Sequence, residues 1–212
     1  MSRAFKATLW LLVMSFAVLL FAMTFRYFSF APDIHFLRAK QDVVHDLVWR
    51  TAFYLHITAG MLAIVIGPLQ LLPRLRAKMR TAHRTLGKIY VTAILAIGAP
   101  TGFYMALFAN GGSWAATGFA VMSAVWFYTT WMAFSLARDR KFTEHSQWMI
   151  RSYALTFSAV TLRLFVPVSS LVFQLPPDRI VVLSAWVSWT LNIILAECLI
   201  FADRRFKLRI AL

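Results

Sequence analysis

The stretch that decides the fold is Thr51–Leu72, TAFYLHITAGMLAIVIGPLQLL, in which no Asp, Glu, Lys or Arg occurs. A helix needs about 20 apolar residues to cross the hydrocarbon of a bilayer, because each residue advances it by about 1.5 Å. This stretch is long enough and apolar enough to do so. It predicts a transmembrane helix.

Five further stretches have the same character, and they leave no segment for a soluble domain. With the first one, the predicted spans are 7–28, 51–72, 89–108, 115–136, 149–173 and 180–201. We therefore expect an all-α fold, a polytopic membrane helical bundle of six transmembrane helices. Residues 1–212 would form a single integral membrane domain.

The composition supports lipid as the main solvent of the chain. Hydrophobic residues make up 60% and charged residues 14%, whereas soluble domains are usually about half apolar and about a quarter charged. The net charge is +14, which in a soluble protein would suggest nucleic acid. Here the basic residues stand mostly in short connections between apolar runs. We expect the lipid bilayer, and no nucleic acid, as partner.

The basic connections predict the orientation of the bundle. They lie between spans two and three, between spans four and five, and after span six; their residues are Arg74, Arg76, Lys78, Arg80, Arg84, Lys88, Arg138, Arg140, Lys141, Arg204, Arg205, Lys207 and Arg209. An even number of spans places all of them on one side, with Arg3 and Lys6. Because basic loops stay in the cytoplasm, we expect a bacterial inner (plasma) membrane protein with cytoplasmic N- and C-termini. On the other side, residues 29–50 are expected to form a helix that runs into span two and carries both His45 and His56.

Titratable groups at membrane depth cost about 2–3 kcal/mol each, so they usually have a partner or a function. Arg151 and Glu197 lie at similar depth and are expected to pair. No carboxylate on another predicted span is placed to pair with Arg163 in the same way. Arg163 either binds backbone carbonyls or holds an anionic ligand group, such as a propionate or a phosphate.

One face of span two combines small and polar residues. At helical spacing this face holds His56, Gly60, Ala63, Gly67, Gln70 and Arg74. The pattern is compatible with a groove for a flat cofactor or for an acyl or isoprenoid chain. It is equally compatible with close packing of helices through small residues.

Two histidines near the predicted cytoplasmic side indicate a ligand site. His83 and His145 precede spans three and five at similar depth, and Gly87 lies one turn beyond His83. Facing histidines at one depth are what a b-type haem with two axial imidazoles requires. A simple metal site with Glu144 is the alternative. Two observations argue against haem. His83 would lie close to the membrane surface, and His56 lacks a partner histidine on another span.

Three linked motifs carry a resemblance to a known family. They are His56-x3-Gly60 with Gly67-Pro68-x-Gln70, His83-Arg84-x2-Gly87-x2-Tyr90, and His145-x2-Trp148-Met149-x-Arg151-Ser152-Tyr153 followed by Arg163. Over about residues 51–173 the chain resembles the bacterial multi-pass membrane proteins catalogued as domain of unknown function 2306. That resemblance implies an architecture and a site, but no reaction. A looser similarity runs to b-type membrane cytochromes, from which the chain departs by lacking an outer histidine pair.

These observations predict a polar intramembrane site near the cytoplasmic side that binds a redox ligand and serves electron transfer. The expected axial ligands of a b-type haem are His83 and His145, and the expected ligand-binding residues are His56, Gln70, Arg74, Arg84, Arg151 and Arg163. A quinone or a lipid is the other expected ligand. The competing hypothesis is a non-enzymatic accessory or assembly subunit of a membrane complex, or a small transporter. Its partners would be other subunits or further copies of the chain.

Overall fold

The computed structural model describes the backbone of residues 3–210, without the side chains of residues 3–7, 9, 73, 74 and 203–210. The described elements are helical. In chain order they are α1 (Arg3–Phe25), two short 3-10 helices (Arg26–Ser29 and His35–Lys40), α2 (Leu47–Gln70), α3 (Pro73–Lys78), α4 (Arg80–Thr92), a π-helical segment (Ala93–Gly98), α5 (Ala99–Ala106), α6 (Gly112–Arg138), α7 (Phe142–Thr156), α8 (Ser158–Leu171) and α9 (Pro177–Ile210).

Six helical stretches of the described chain are long and apolar enough to cross a membrane, which confirms the predicted all-α bundle. They are Trp10–Ser29, Leu47–Gln70, Arg80–Ala106, Gly112–Arg138, Phe142–Leu171 and Pro177–Ala202. Spans three and five begin earlier than predicted. The amide of His83 already donates to the carbonyl of Met79 at 3.0 Å, and that of His145 to Lys141 at 2.9 Å. Apolar composition marks only the lipid-buried part of a helix, whereas its hydrogen bonds continue into polar residues.

The segment before span two differs from the prediction of one continuous helix. Asp46 accepts a 2.7 Å hydrogen bond from the amide of Trp49 and caps α2, which therefore begins at Leu47. A capping aspartate satisfies an amide that has no partner within the helix, so it fixes where the helix starts. His45 consequently does not lie on the helix of His56, and that prediction was wrong.

The surface of the bundle is apolar, and its interior combines large apolar side chains with small and hydroxyl-bearing ones. Leu171 is 79% exposed and Trp114 is 72% exposed, whereas Ala133 and Ser152 are fully buried. In water such a surface would aggregate, but in a bilayer it contacts lipid chains. Helices pack closely here through their small residues.

Helices α2, α4, α6 and α7 form a four-helix core in one half of the bundle. Each contacts two neighbours, whereas across the diagonals no Cα of α4 lies within 8 Å of α7, and none of α2 within 8 Å of α6. We call this half, where α2 ends and α4 begins, the basic end, because the basic connections leave from it. Side chains, not backbone, fill the axis between the diagonal helices.

Two of the spans are interrupted near their middle. Span three passes through the π-helical segment Ala93–Gly98, after which Pro100 cannot donate to a carbonyl one turn back. Span five breaks at Phe157, between α7 and α8. Beyond that break α8 packs against α9, α7 and α1, and it leaves the four-helix core. The two halves of the bundle therefore differ in architecture.

Candidate ligand site at the basic end

His83 and His145, here called the histidine pair, lie on diagonally opposed helices of the four-helix core. Each stands in the first turn of its helix, three residues after Arg80 and Phe142 respectively. The two imidazoles lie close enough for their charges to interact. The structure thus places both histidines in the first turns of helices that begin at the basic end.

His145 is held in one orientation by its neighbour α6. Its Nδ1 donates a 2.7 Å hydrogen bond to the carbonyl oxygen of Ala133. A carbonyl accepts only, so Nδ1 carries the proton and Nε2 of the neutral ring carries the lone pair. In metal-ligating histidines, the ring nitrogen that does not bind the metal usually donates such a hydrogen bond, and the bond orients the ring.

His83 presents a buried nitrogen that lacks a hydrogen bond. Its Nδ1 has no hydrogen-bond partner among the described residues. The charges of Arg76 and Arg84 interact with this imidazole. The sequence predicted Arg84 as a site residue but not Arg76, and both side chains are exposed at the basic end. The cationic environment suits an anionic ligand group at this end.

Gln70 approaches the same region from α2. Its side chain is 5% exposed, and its Nε2 has no hydrogen-bond partner within the described part of the chain. Its Oε1 would lie 3.5 Å from a Cβ at position 87, so the amide rests against Gly87, one turn beyond His83. A buried amide without a partner is costly, and it marks a place where a ligand could accept a hydrogen bond.

A closed hydrogen-bond network lies deeper along the axis. The Tyr90 hydroxyl is 3.0 Å from Ser152 Oγ and 3.0 Å from Thr156 Oγ1, and Thr130 Oγ1 is 2.7 Å from Ser152 Oγ. Trp126 Nε1 donates to Thr156 Oγ1 at 3.0 Å. These buried groups satisfy one another and join α4, α6 and α7. The network therefore ties the helices together and forms the floor of the site.

Arg151 points away from the histidine pair. Its guanidinium pairs with the Glu197 carboxylate through hydrogen bonds of 2.5 and 2.9 Å, and it covers the Trp148 ring at 4.6 Å. The predicted pairing with Glu197 is confirmed. This pair joins α7 to α9, and it places Arg151 outside the axis. The side chain of Arg74, another predicted site residue, lies outside the described residues.

The small-residue face of α2 is partly filled by packing. A Cβ at Gly67 would come within 2.0 Å of Cδ2 of Tyr153, whose hydroxyl donates to the carbonyl of Ile64 at 3.2 Å. At Gly67 the structure therefore favours close packing over an open groove. By contrast, a Cβ at Gly60 would meet no atom within 4 Å.

His56 and Arg163 lie in the other half of the bundle. His56 Nδ1 is 2.9 Å from the carbonyl oxygen of Gly98, and its ring stands edge-on to Trp126 at 6.4 Å. Arg163 Nη1 donates to the carbonyl of Ala159 at 3.0 Å. Their charges interact with each other, and neither belongs to the site at the basic end.

A metal site built from protein ligands alone finds no support. Among the residues that the structure describes, no three His, Cys, Asp or Glu side chains gather closely enough to hold a metal ion. The alternative that combined the histidine pair with Glu144 is therefore not supported. Two imidazoles without a third ligand suit a metal that brings its remaining ligands with it.

Two shallow clefts lie on the outside of the bundle. One of about 300 Å³ is lined by Pro100, Phe103, Ser123 and Phe127, and one of about 230 Å³ is lined by Phe21, Phe28 and Leu62 among others. Both are apolar, and neither is lined by a histidine or an arginine. They have the character of grooves for lipid chains.

One comparison with known proteins finds a family to which this chain is similar. The family model described as "Predicted membrane protein (DUF2306)" matches residues 53–200. No curated protein and no solved structure matches the chain. The matched region contains α4, α6, α7 and all but the first six residues of α2, and with them the histidine pair, His56 and Arg163.

Proposed function

The chain belongs to the DUF2306 family of membrane proteins, and we propose that it binds a b-type haem between His83 and His145. The observation that carries this proposal is the position of the pair. Both imidazoles lie in the first turns of α4 and α7, whose backbones stay more than 8 Å apart across the core. Such a gap is required where a planar ring is held between two imidazoles.

The donor set fits this ligand. His145 is oriented by Ala133 with Nε2 as its lone-pair nitrogen. His83 would bind through its Nε2, and its Nδ1 is buried without a described hydrogen bond. The porphyrin supplies the other iron ligands, so a third protein ligand is unnecessary. Arg76 and Arg84 interact electrostatically with His83 and would neutralise propionates at the mouth of the site.

A bound haem supplies one-electron transfer, and the chain supplies the position and the surroundings of that haem. The histidine pair would orient it, and the network around Tyr90 would close the axis beneath it. We assign no electron donor or acceptor. The proposed role in electron transfer rests on the residues of the site and not on the fold, because a fold does not imply a function.

The orientation of the bundle belongs to the same proposal. The basic end would face the cytoplasm of a bacterial inner membrane, with both termini on that side, because positively charged connections are retained there. Reporter fusions after the last span and in the connection 107–111 test this. A C-terminal reporter active only in the periplasm would overturn it.

The deciding experiment is a reduced-minus-oxidised visible spectrum of the full chain, purified in mild detergent from haem-sufficient cells. We expect a sharp b-type band that disappears in His83→Ala and His145→Ala. The matched control is His45→Ala, because His45 is exposed and lies in the segment before α2. A wild-type spectrum without a haem band at full purity would exclude the haem.

A quinone is the second candidate ligand, and one observation favours it. Gln70 Nε2 is a buried donor without a described partner, beside Gly87 and close to the end of α2. A quinone carbonyl would accept from it while an imidazole or guanidinium binds the opposite oxygen. A colourless protein that co-purifies with quinone, and loses it in Gln70→Leu, would support this candidate.

The accessory or transporter hypothesis predicts a different result. If the polar groups serve only to tie helices together, alanine at His83 or His145 lowers the yield and stability and no ligand is lost. An intact, well-folded variant that has lost a ligand contradicts this view.

A further inference from the structure

The larger of the two clefts lies between α5 and α6 and opens toward the lipid. Its volume is about 300 Å³, and every residue that lines it belongs to one of these two helices. Phe103 of α5 is 48% exposed and Phe127 of α6 is 41% exposed, whereas Ser123 is 3% exposed. Ser123 therefore lies at the bottom of the cleft, and the two phenyl rings stand at its mouth.

The side chain of Ser123 places a hydroxyl without a partner in this cleft. Its Oγ would lie 3.0 Å from a Cβ at Gly102, so the hydroxyl is directed toward α5. It takes part in no hydrogen bond with the residues that the structure describes, whereas the hydroxyls of Thr129 and Thr130 on the same helix donate to the carbonyl of Trp126. A buried hydroxyl without a partner is costly, and it marks a place where a ligand could accept a hydrogen bond.

The depth of Ser123 restricts the ligand to molecules that dissolve in hydrocarbon. Ser123 lies between the ends of α6 at Gly112 and Arg138. At about 1.5 Å per residue it is about 16 Å from the first end and about 22 Å from the second. The polar headgroups of phospholipids lie outside a hydrocarbon core of about 30 Å, and their acyl chains carry no acceptor. The ligand is therefore an uncharged molecule whose acceptor oxygen enters the core of the bilayer.

The volume and the lining of the cleft fit a six-membered ring. An apolar cavity of about 150 Å³ accepts benzene, so a cleft of about 300 Å³ has room for a ring with substituents. Phe103 and Phe127 offer the offset and edge contacts that aromatic rings prefer. The π-helical segment Ala93–Gly98 ends directly before Ala99 and Pro100, which line the cleft. Single π-helical turns are frequent at functional sites.

We propose that the cleft between α5 and α6 binds the ring of an isoprenoid quinone. The Ser123 hydroxyl donates to one ring carbonyl, and the isoprenoid chain leaves into the bilayer past Phe103 and Phe127. A quinone is uncharged, and its carbonyl oxygens accept hydrogen bonds without donating any. This site is separate from the haem site and from the quinone candidate at Gln70, because no residue of the basic end lines the cleft.

The test is native mass spectrometry of the full chain in mild detergent, titrated with a ubiquinone that carries two isoprene units. We expect a saturable adduct of one quinone. Ala124→Phe should weaken it at least tenfold, because Ala124 lines the cleft and is exposed to lipid, so the new ring fills the cleft without entering the core. Ser123→Ala should weaken it about three- to tenfold, as expected for the loss of one hydrogen bond.

The matched controls carry the same changes at exposed positions outside the cleft. They are Ala22→Phe in α1 and Ser170→Ala in α8, and both should leave the adduct unchanged. Squalene, an isoprenoid hydrocarbon with neither ring nor oxygen, should not displace the quinone. Circular dichroism of each variant checks its helix content.

Three results would overturn the proposal. They are the absence of a saturable adduct, an Ala124→Phe variant with native helix content and wild-type affinity, and displacement of the quinone by an equal amount of squalene. Binding that is lost in Gln70→Leu but kept in Ala124→Phe would place the quinone at the basic end instead. Quinone binding that is kept in His83→Ala, while the haem band is lost, would show that the cleft does not depend on the haem.

Discussion

The imidazole of His145 on α7 and the backbone carbonyl of Ala133 on α6 are joined by a 2.7 Å hydrogen bond. The bond selects the tautomer of the ring and fixes its direction before any ligand is bound. Preorganisation of this kind lowers the entropy cost of coordination. The bond also gives His145 a role in the first turn of α7 that helix formation by itself does not require.

If His145 is an axial ligand, its loss should be chemically reversible. His145→Ala leaves a space the size of an imidazole next to Ala133, and added imidazole should occupy it and restore the b-type band. A spectrum of the variant with and without imidazole measures this. His45→Ala should need no such rescue. A variant that stays colourless despite imidazole, while His45→Ala binds haem, would contradict the axial role.

The Tyr90 hydroxyl is expected to stabilise the core. Tyr90→Phe removes its bonds to Ser152 and Thr156 and should lower the free energy of unfolding in detergent by about 1 kcal/mol, as expected for hydrogen bonds between transmembrane helices. Combined with Ser152→Ala the loss should be less than the sum, because both changes remove the same bond. Tyr128→Phe, at an exposed site, should change stability by less than about 0.5 kcal/mol.

Substitution by alanine at two glycines of α2 should change the stability of the protein in opposite directions. At Gly67 the new Cβ would come within 2.0 Å of the Tyr153 ring, which is buried and held by its bond to Ile64. Overpacking there should cost about 1–3 kcal/mol in unfolding free energy. At Gly60 nothing lies within 4 Å, so alanine should stabilise the helix by up to about 1 kcal/mol. Equal effects at the two positions would refute the packing described for α2.

Lys40 should make stability depend on alkaline pH. Its ammonium donates to the Phe108 carbonyl and to Asn110 Oδ1, and its side chain is 3% exposed. Burial lowers the pKa of Lys40 from its ordinary 10.5, and the nearby Asp42 opposes this shift. Between the lowered pKa and 10.5 the unfolded chain binds more protons than the folded one. The unfolding free energy should therefore rise with pH in that window.

Lys40→Met should flatten this rise, although it also loses two hydrogen bonds and lowers stability at neutral pH. Unfolding followed by circular dichroism at several pH values measures the slope. Lys141→Met, at an exposed position of the basic end, is the control and should keep the slope of the wild type. A wild-type slope retained in Lys40→Met would assign the pH dependence to another group.

The pairing of Arg151 with Glu197 was accessible from the sequence, because two opposite charges at equal depth in lipid have few other partners. The electrostatic influence of Arg76 on His83 was not accessible, since five neighbouring basic residues share its connection and the sequence does not distinguish them. The continuous helix expected for residues 29–50 failed because Asp46 caps α2.

The sequence by itself determined the six spans, because the cost of exposing backbone and charge to lipid leaves an apolar stretch such as Thr51–Leu72 few alternatives to a helix. It also predicted that His83 and His145 lie at one depth. Only the tertiary structure decided that the helices of these two histidines lie diagonally opposite each other. It also decided that Tyr153 fills the face of α2 at Gly67 and that α8 leaves the core after Phe157. Hydropathy is a property of each helix by itself. Which face of a helix contacts its neighbours depends on side-chain packing between residues far apart in the chain.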